Sequence, residues 1–396
     1  MFIVFSVSVF FAAGMDAPEA VATATFDVPV LPPEHVRVTD EKTGASLVFV
    51  TSDPAPDNNL YFHERSWLCD ESLLLFTSQR DEGGLMGYIM ATGELVRFTT
   101  PEGGLGGATA DVKRPVFYAL RGREVLEVMP KLELSADPAV RSKVSITVRR
   151  IARIPEGHTT SLNGNCDGTR LSVGITSSGD PAVPSIFTID VTTGETREVC
   201  RLSEPPGYGG HVQWSHDDPN LLSFAGREQR LMVVDVRDGV PRNVYKARED
   251  ELVTHESWWV NHHMLFCGGT HPKPTEDSHV KVLDLNTGIV RVVGAGAWWE
   301  GAMPSELAKV NWWHASGSDD GRWVAADNWH GDIMLFEGKT TRPRLLTQGH
   351  RTYGKGAHPH VGWDRSGKAV VFASEKHGNP DVCIAYIPES WQKENP

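Results

Sequence analysis

Ile186-Phe187-Thr188-Ile189-Asp190-Val191-Thr192-Thr193-Gly194-Glu195 is an apolar alternation that runs into a Thr-Thr-Gly turn. Side chains two apart on a strand share a face, so the stretch reads as a β-strand ending in a tight turn. The same phrase recurs at Tyr88-Ile89-Met90-Ala91-Thr92-Gly93-Glu94, at residues 233–240 around Asp238-Gly239, and at residues 280–290 around Thr287-Gly288. A second phrase lies earlier in each unit, where a turn leads into an apolar run. Its examples are Asp167-Gly168, His216-Asp217-Asp218, Asp319-Asp320-Gly321, and Asp364-Arg365-Ser366-Gly367 before Ala369-Val370-Val371-Phe372-Ala373. Together they mark seven units, at residues 60–100, 105–150, 158–203, 209–247, 252–294, 310–348 and 356–388. Short strands repeated at this period predict an all-β, seven-bladed β-propeller, with a jelly roll or irregular sandwich as the alternative. The last unit is one strand short. A strand over residues 46–51 is expected to fill it, closing the ring and removing exposed sheet edges. Residues 304–309 are expected to form a short helix.

With 396 residues, 40% of them hydrophobic and 22% charged, the chain is expected to be globular, and 38 glycines and 25 prolines favour turns over long helices. A formal net charge of −13 argues against a nucleic-acid partner, since no basic surplus replaces counterions. It also requires any anionic ligand to be held by a local cationic pocket. The cysteines (Cys69, Cys166, Cys200, Cys267, Cys383) are scattered, without C-x-x-C, and give neither a disulfide framework nor a zinc ribbon. Phe2-Ile3-Val4-Phe5-Ser6-Val7-Ser8-Val9-Phe10-Phe11-Ala12-Ala13 resembles a signal-peptide core without its usual basic flank and is too short to span a bilayer. The expectation is a leader over residues 1–20, a single domain over 21–396, and a periplasmic or secreted protein with no membrane insertion after leader removal. A cytoplasmic protein with a misassigned start is the alternative.

Gly356-Ala357-His358-Pro359-His360-Val361-Gly362-Trp363 carries the densest chemistry. Read as an extended strand, it projects His358 and His360 to one side, and Pro359 confines it to a sheet edge. His211, His255 and His314 also open units, and in a propeller the strand that opens a unit lines the central funnel. Histidines at one phase in several units therefore converge on a shared site, against the reading that each bonds a loop carbonyl. Arg351 is a substrate contact or a solvated loop arginine. Of the paired tryptophans at 258/259, 298/299 and 312/313, alternation leaves at most one of each pair to stack on a ligand, and His262-His263 falls at an outer turn.

Thr254-His255-Glu256 with Trp258, then His314 before Asp319-Asp320-Gly321, then His358-Pro359-His360, in this order, resemble the oligogalacturonate lyase family of seven-bladed propeller polysaccharide lyases. The likeness spans most of residues 58–388, including Asn59-Leu60-Tyr61-Phe62 and Val371-Phe372-Ala373-Ser374. It implies an enzyme of pectin degradation that cleaves short acidic oligosaccharides by β-elimination, with 4,5-unsaturated products. It gives His255 the position of the catalytic base and Arg230 that of the arginine beside the scissile uronate. It makes His314, His358 and His360 ligands of a divalent cation, usually manganese. His211, Lys355 and Arg351 are candidate substrate contacts. The family's fourth ligand, a glutamine three residues before the first histidine of the pair, is here Lys355, whose ammonium has no lone pair. Either another group such as Gln348 completes the shell, or Lys355 neutralises the uronate carboxylate itself. A non-enzymatic propeller scaffold is the alternative, as is a propeller glycosidase using carboxylates such as Glu256 and Asp364.

Overall fold

The computed structural model describes residues 23–179, 182–202, 209–270, 273 and 275–394; the expected leader at 1–20 lies outside the described residues. Seven antiparallel sheets of four or five strands follow one another along the chain as the blades of a propeller, joined by one small two-stranded sheet. In chain order the blades begin on the strands Asp57–Asn59 (blade 1), Gly106–Ala110 (blade 2), Asn163–Gly164 (blade 3), Gly210–Trp214 (blade 4), Thr254–Trp259 (blade 5), Ala315–Gly317 (blade 6) and Gly362–Trp363 (blade 7). These opening strands are innermost, and the later strands of each unit step outwards.

Blade 7 closes the ring as the sequence requires: Ser46–Phe49 pairs with Asp381–Tyr386, with Phe49 opposite Cys383 and Val48 opposite Ile384. Three further N-terminal strands extend outer edges. Thr23–Val28 caps blade 2, Val30–Leu31 caps blade 1 and Val36–Thr39 caps blade 7. Among the described residues, helices are confined to Pro304–Leu307, where one is expected, and Glu389–Lys393, which no sequence signal marks, and none is long and apolar enough to cross a membrane. All five cysteines are free.

The core is divided into seven apolar clusters, one at each blade–blade interface. Alternation explains this division. On Ala369–Ser374, Val370 and Phe372 face blade 6, whereas Ala369 and Val371 face blade 1. Both faces of a middle strand are buried, which is why these strands read as unbroken apolar runs. The Thr-Gly phrase is the turn into a blade's outer strand. Asp190 Oδ1 accepts the N–H of Thr192 and Thr193, and Gly194 returns the chain with φ +74°. A side chain at Gly194 would also collide with the carbonyl of Ile151 on blade 2.

Around the axis, polar groups stitch each inner strand to the next. Asn59 Nδ2 donates to His360 O at 2.6 Å, Ser316 Oγ to Val361 O at 2.6 Å, and Ser257 Oγ to Ala315 O at 2.7 Å. Gln213 spans blades 4 and 5, donating to Glu256 O and accepting from Trp258 N, and Asn163 accepts from Trp214 N. Backbone bonds from Leu162 to Gly107 and from Ala110 to Arg65 complete the circle. Gln213→Ala strands a buried N–H and a buried carbonyl together, so a loss of about 2–3 kcal/mol is expected, read as a lowered denaturant midpoint.

His350 is buried between two hydroxyls: Thr347 Oγ1 donates to Asp40 Oδ2 and so accepts from His350 Nε2, and Ser374 Oγ donates to His350 Nδ1. Burial, helped by Lys376, pushes its imidazole down to about 3. Between pH 6.5 and about 3 the unfolded chain therefore binds the extra proton, so this contribution is full above pH 6.5 and is lost on acidification. His350→Gln is expected to flatten the acid limb of the stability curve by about 1.4 kcal/mol per pH unit in that window, measured by denaturant unfolding across pH.

Candidate functional site

The inner strands of blades 4 and 5 share an irregularity that aims a histidine at the axis. Pairing slips between Gly210 and Gln213 on blade 4 and between Thr254 and Ser257 on blade 5. Within the two bulges His211 has φ +54° and His255 φ +52°. Such left-handed residues cost free energy and concentrate where a side chain must be re-aimed. His360 has φ +52°, which corrects the strand reading of residues 356–363: only Gly362 and Trp363 are strand. His358 and His360 lie in the loop before it, and their rings meet through the left-handed backbone at His360 rather than by strand alternation, with centroids 5.8 Å apart.

Two neighbouring groups of side chains result. In the first, the His314 ring lies 4.2 Å from that of His255, 5.0 Å from His358 and 4.3 Å from His360. Asp327 organises them: its Oδ1 accepts His314 N at 2.9 Å, both its oxygens lie 3.0 Å from His314 Nδ1, and its Oδ2 accepts His360 N. In the second, Glu256 is fully buried, accepts from Arg230 Nε at 2.7 Å and lies 3.4 Å from His211 Nδ1. The His63 ring is 5.4 Å from that of His211. Tyr61 bridges the groups, its ring 5.3 Å from His211 and 4.6 Å from His360.

Burial dominates the electrostatics. It pushes His255 down to about 3, with His314 adding to the effect, and His360 to about 3 likewise. Burial and then His63 bring His211 to about 2, and burial holds His314 and His358 below the ordinary histidine range. The cluster is therefore a set of neutral imidazoles that accept protons or hold cations. Burial raises the carboxyls of Asp327 and Glu256 above the ordinary range, opposed at Asp327 by the N–H groups of His314 and His360 that bond it and at Glu256 by Arg230. The Nδ1 atoms of His63, His211 and His255 are buried without hydrogen-bond partners, a shortfall that clusters at functional sites.

Arg351 is not a solvated loop residue. It is 9% exposed, stacks on Trp329 at 4.7 Å, donates through Nε to Lys355 O, and sets Nη1 3.1 Å from His358 Nε2. Lys355 itself is exposed. Gln348 is turned away to a different partner, accepting from Lys42 Nζ at 3.0 Å. Asp364 bonds Ser366 and the N–H of Lys368 in its own turn, so it forms no carboxylate pair with Glu256. Of the tryptophans, Trp258, Trp259 and Trp312 donate their indole N–H to backbone carbonyls in the core, while Trp313 sets its ring against His255 at 5.9 Å.

A divalent cation fits the first group. One ligand atom each from His314, Asp327 and His358 lie within 4.8 Å of one another, and imidazole with carboxylate suits first-row metals. Sequence reading missed Asp327, His63 and Trp329. Asp327 had a signal: once the Asp319-Asp320-Gly321 turn pairs Ala315 with Ala326, the next pair outward sets His314 against Asp327. His63 and Trp329 follow no repeat.

No protein-family model matches the chain, and neither does the sequence of any curated protein. Among solved structures, an oligogalacturonate lyase in complex with manganese superposes with a TM-score of 0.72 at 19% identity, over 92% of this chain and 99% of that one. An oligogalacturonate lyase from Vibrio parahaemolyticus gives 0.71 at 17% identity, over 92% and 100%. A chain of the mitotic checkpoint complex gives 0.54 at 12% identity, over 96% and 99%. These likenesses place the protein in the seven-bladed propeller class, with the same fold as the two lyases.

Asp327→Asn is expected to weaken divalent-cation binding by at least about 10–100-fold, because it removes a candidate carboxylate ligand and loosens the orientation of His314. Arg351→Gln, which withdraws a competing positive charge from His358, is expected to tighten it. Isothermal titration with manganese checks both, and unchanged affinity in the two variants would remove the cation from this site.

Proposed function

We propose that the protein is a lyase that cleaves short uronate oligomers, oligogalacturonate-like in kind, by β-elimination. The observation that carries this reading is the meeting of a neutral, buried His255 with a carboxylate-organised histidine group and two arginines at one end of the axis. The fold shared with two oligogalacturonate lyases supports it.

Elimination removes the C5 proton of a uronate, forms the C4–C5 double bond and expels the O4 substituent with the electron pair of the C4–O4 bond. His255 takes the C5 proton on its imidazole. Its low proton affinity in the empty pocket rises when a uronate carboxylate arrives, which brings the base towards the working pH. Negative charge then collects on the carboxylate, and fixed cations stabilise it most in a water-poor pocket. Arg230, anchored on Glu256, and Arg351, anchored on Trp329 and Lys355 O, supply that charge. His211 orients a sugar hydroxyl, and Lys355 attracts the acidic chain at the rim. His314 and His358, with Asp327, would hold a divalent cation, joined by His360 on the family resemblance, and Mn2+ by the likeness to the manganese complex; when bound it would supply further carboxylate neutralisation. The apolar stretch at residues 2–13 supports export to the periplasm or beyond.

Protein mixed with oligogalacturonates is expected to produce the ultraviolet absorbance of the unsaturated uronate, and His255→Ala to lower kcat by about 10²–10⁴-fold. A full rate in that variant would exclude His255 as base. Silence across a panel of galacturonate, glucuronate and mannuronate oligomers would exclude the lyase reading altogether.

A further inference from the structure

Trp313 and Trp329 have a second side. Their rings meet edge to face at 5.4 Å, with Trp313 against His255 and Trp329 against His358 at 4.6 Å. Beyond them lies a cleft of about 330 Å³, walled by these two rings, Tyr353, Pro304, Leu307 and Ala308. The histidine group and the cleft thus share one aromatic wall, so a ligand filling the cleft lies one ring away from the proposed reaction centre.

The wall is stiff. Arg351 packs on Trp329, and Tyr353 stacks on His330 with the planes 17° apart. The helix Pro304–Leu307 supplies the facing side, its Leu307 buried and its end tied by Asn311 Nδ2, which donates to Leu307 O at 2.8 Å. Rigid aromatic surface of this kind takes the apolar face of a pyranose ring with little ordering cost.

Charge decides which ring. Among the described residues the only charged one lining the cleft is Glu276, whose carboxylate lies 3.3 Å from Lys273 Nζ. A uronate carboxylate lodged here would lose its hydration and gain no cation from the described lining, because the neighbouring Lys273 is already paired with Glu276. An uncharged ring meets none of these costs. Arg230 and Arg351 serve the histidine side instead, so the two halves of the site ask for different neighbours along one chain.

We infer that the cleft behind Trp313 and Trp329 is a subsite for an uncharged pyranose next to the uronate that undergoes elimination. The preferred substrate is then a mixed oligomer and not an uninterrupted run of free acids. This rests on the lyase reading above. The uncharged ring comes either from a neutral sugar or from a methyl-esterified uronate.

The test compares a trigalacturonate, its methyl-esterified counterpart and a galacturonate–rhamnose oligomer of the same length, following unsaturated product. Wild-type kcat/KM is expected to be higher for one or both oligomers with an uncharged ring, and which of them leads identifies the source. Tyr353→Ala is expected to raise KM for the favoured oligomer about two- to tenfold, leaving kcat and the trigalacturonate KM unchanged. Glu276→Lys is expected to lower KM for trigalacturonate. Preference for trigalacturonate in the wild type, or an equal effect of Tyr353→Ala on all substrates, overturns the subsite while leaving the lyase reading intact. If no oligomer is cleaved here or across the wider uronate panel, the lyase reading falls, and tryptophan fluorescence titrated with a neutral disaccharide decides the cleft separately. Quenching that Tyr353→Ala weakens supports an uncharged-ring site; no quenching overturns it.

Discussion

The closed ring of polar contacts around the axis is the constraint on which the structure depends. Inner strands must approach closely enough to exclude water, and every N–H and C=O caught there has to find a partner. Asn59, Asn163, Gln213, Ser257 and Ser316 meet that demand by bonding across blade boundaries. The apolar clusters between blades supply the larger share of the burial, but they are non-directional. The inner ring sets where each blade begins, and therefore where the first side chain of each blade points. Gln213 shows the economy of this arrangement, since the residue that aligns blade 5 on blade 4 also fixes the backbone of Glu256, the anchor of Arg230.

Histidines in left-handed conformations are the consequence. His211 and His255 sit in bulges of inner strands, and His360 just before one. At the matching bulge on blade 2 the left-handed residue is Gly107, φ +54°, which adopts the geometry without steric cost. The chain therefore uses the same distortion where it has no side chain to aim and where it does. Strain at the three histidines is held in place by the surrounding ring, a balance expected of a binding centre and of no use to a packed core.

The architecture was legible in the sequence because its turn chemistry is written in short, local phrases. Asp190 with Gly194 is a turn whose residues are chosen by φ and by side-chain capping, so it survives translation into structure almost unchanged. The apolar runs were legible for a similar reason, as both faces of a middle strand are covered. The site was legible only as a set of candidates. His211, His255, His314, His358 and His360 do come together, yet the reason given for the last pair, strand alternation, was mistaken, since the two lie in a loop with His360 left-handed. Arg351 read as a loop residue because nothing local announces that Trp329 and His358 will enclose it. Asp327 could have been reached by counting register outward from Ala315, while His63 required three-dimensional knowledge of the axis.

The electrostatic character of the centre follows from burial more than from charge. The chain as a whole is acidic, at −13, and an anionic ligand of the kind proposed would approach it against that field. A pocket lined by protonated histidines would attract the sugar but would leave no base to receive a proton. Burial keeps the imidazoles neutral instead and assigns the permanent charge to Arg230 and Arg351, which cannot lose it. On the proposed lyase reading, this division of labour between titratable acceptors and fixed cations would let one small volume both hold a carboxylate and take a proton from the carbon beside it. The carboxyls of Glu256 and Asp327 hold that division in place, Glu256 by anchoring Arg230 and Asp327 by bonding His314 and the backbone N–H of His360.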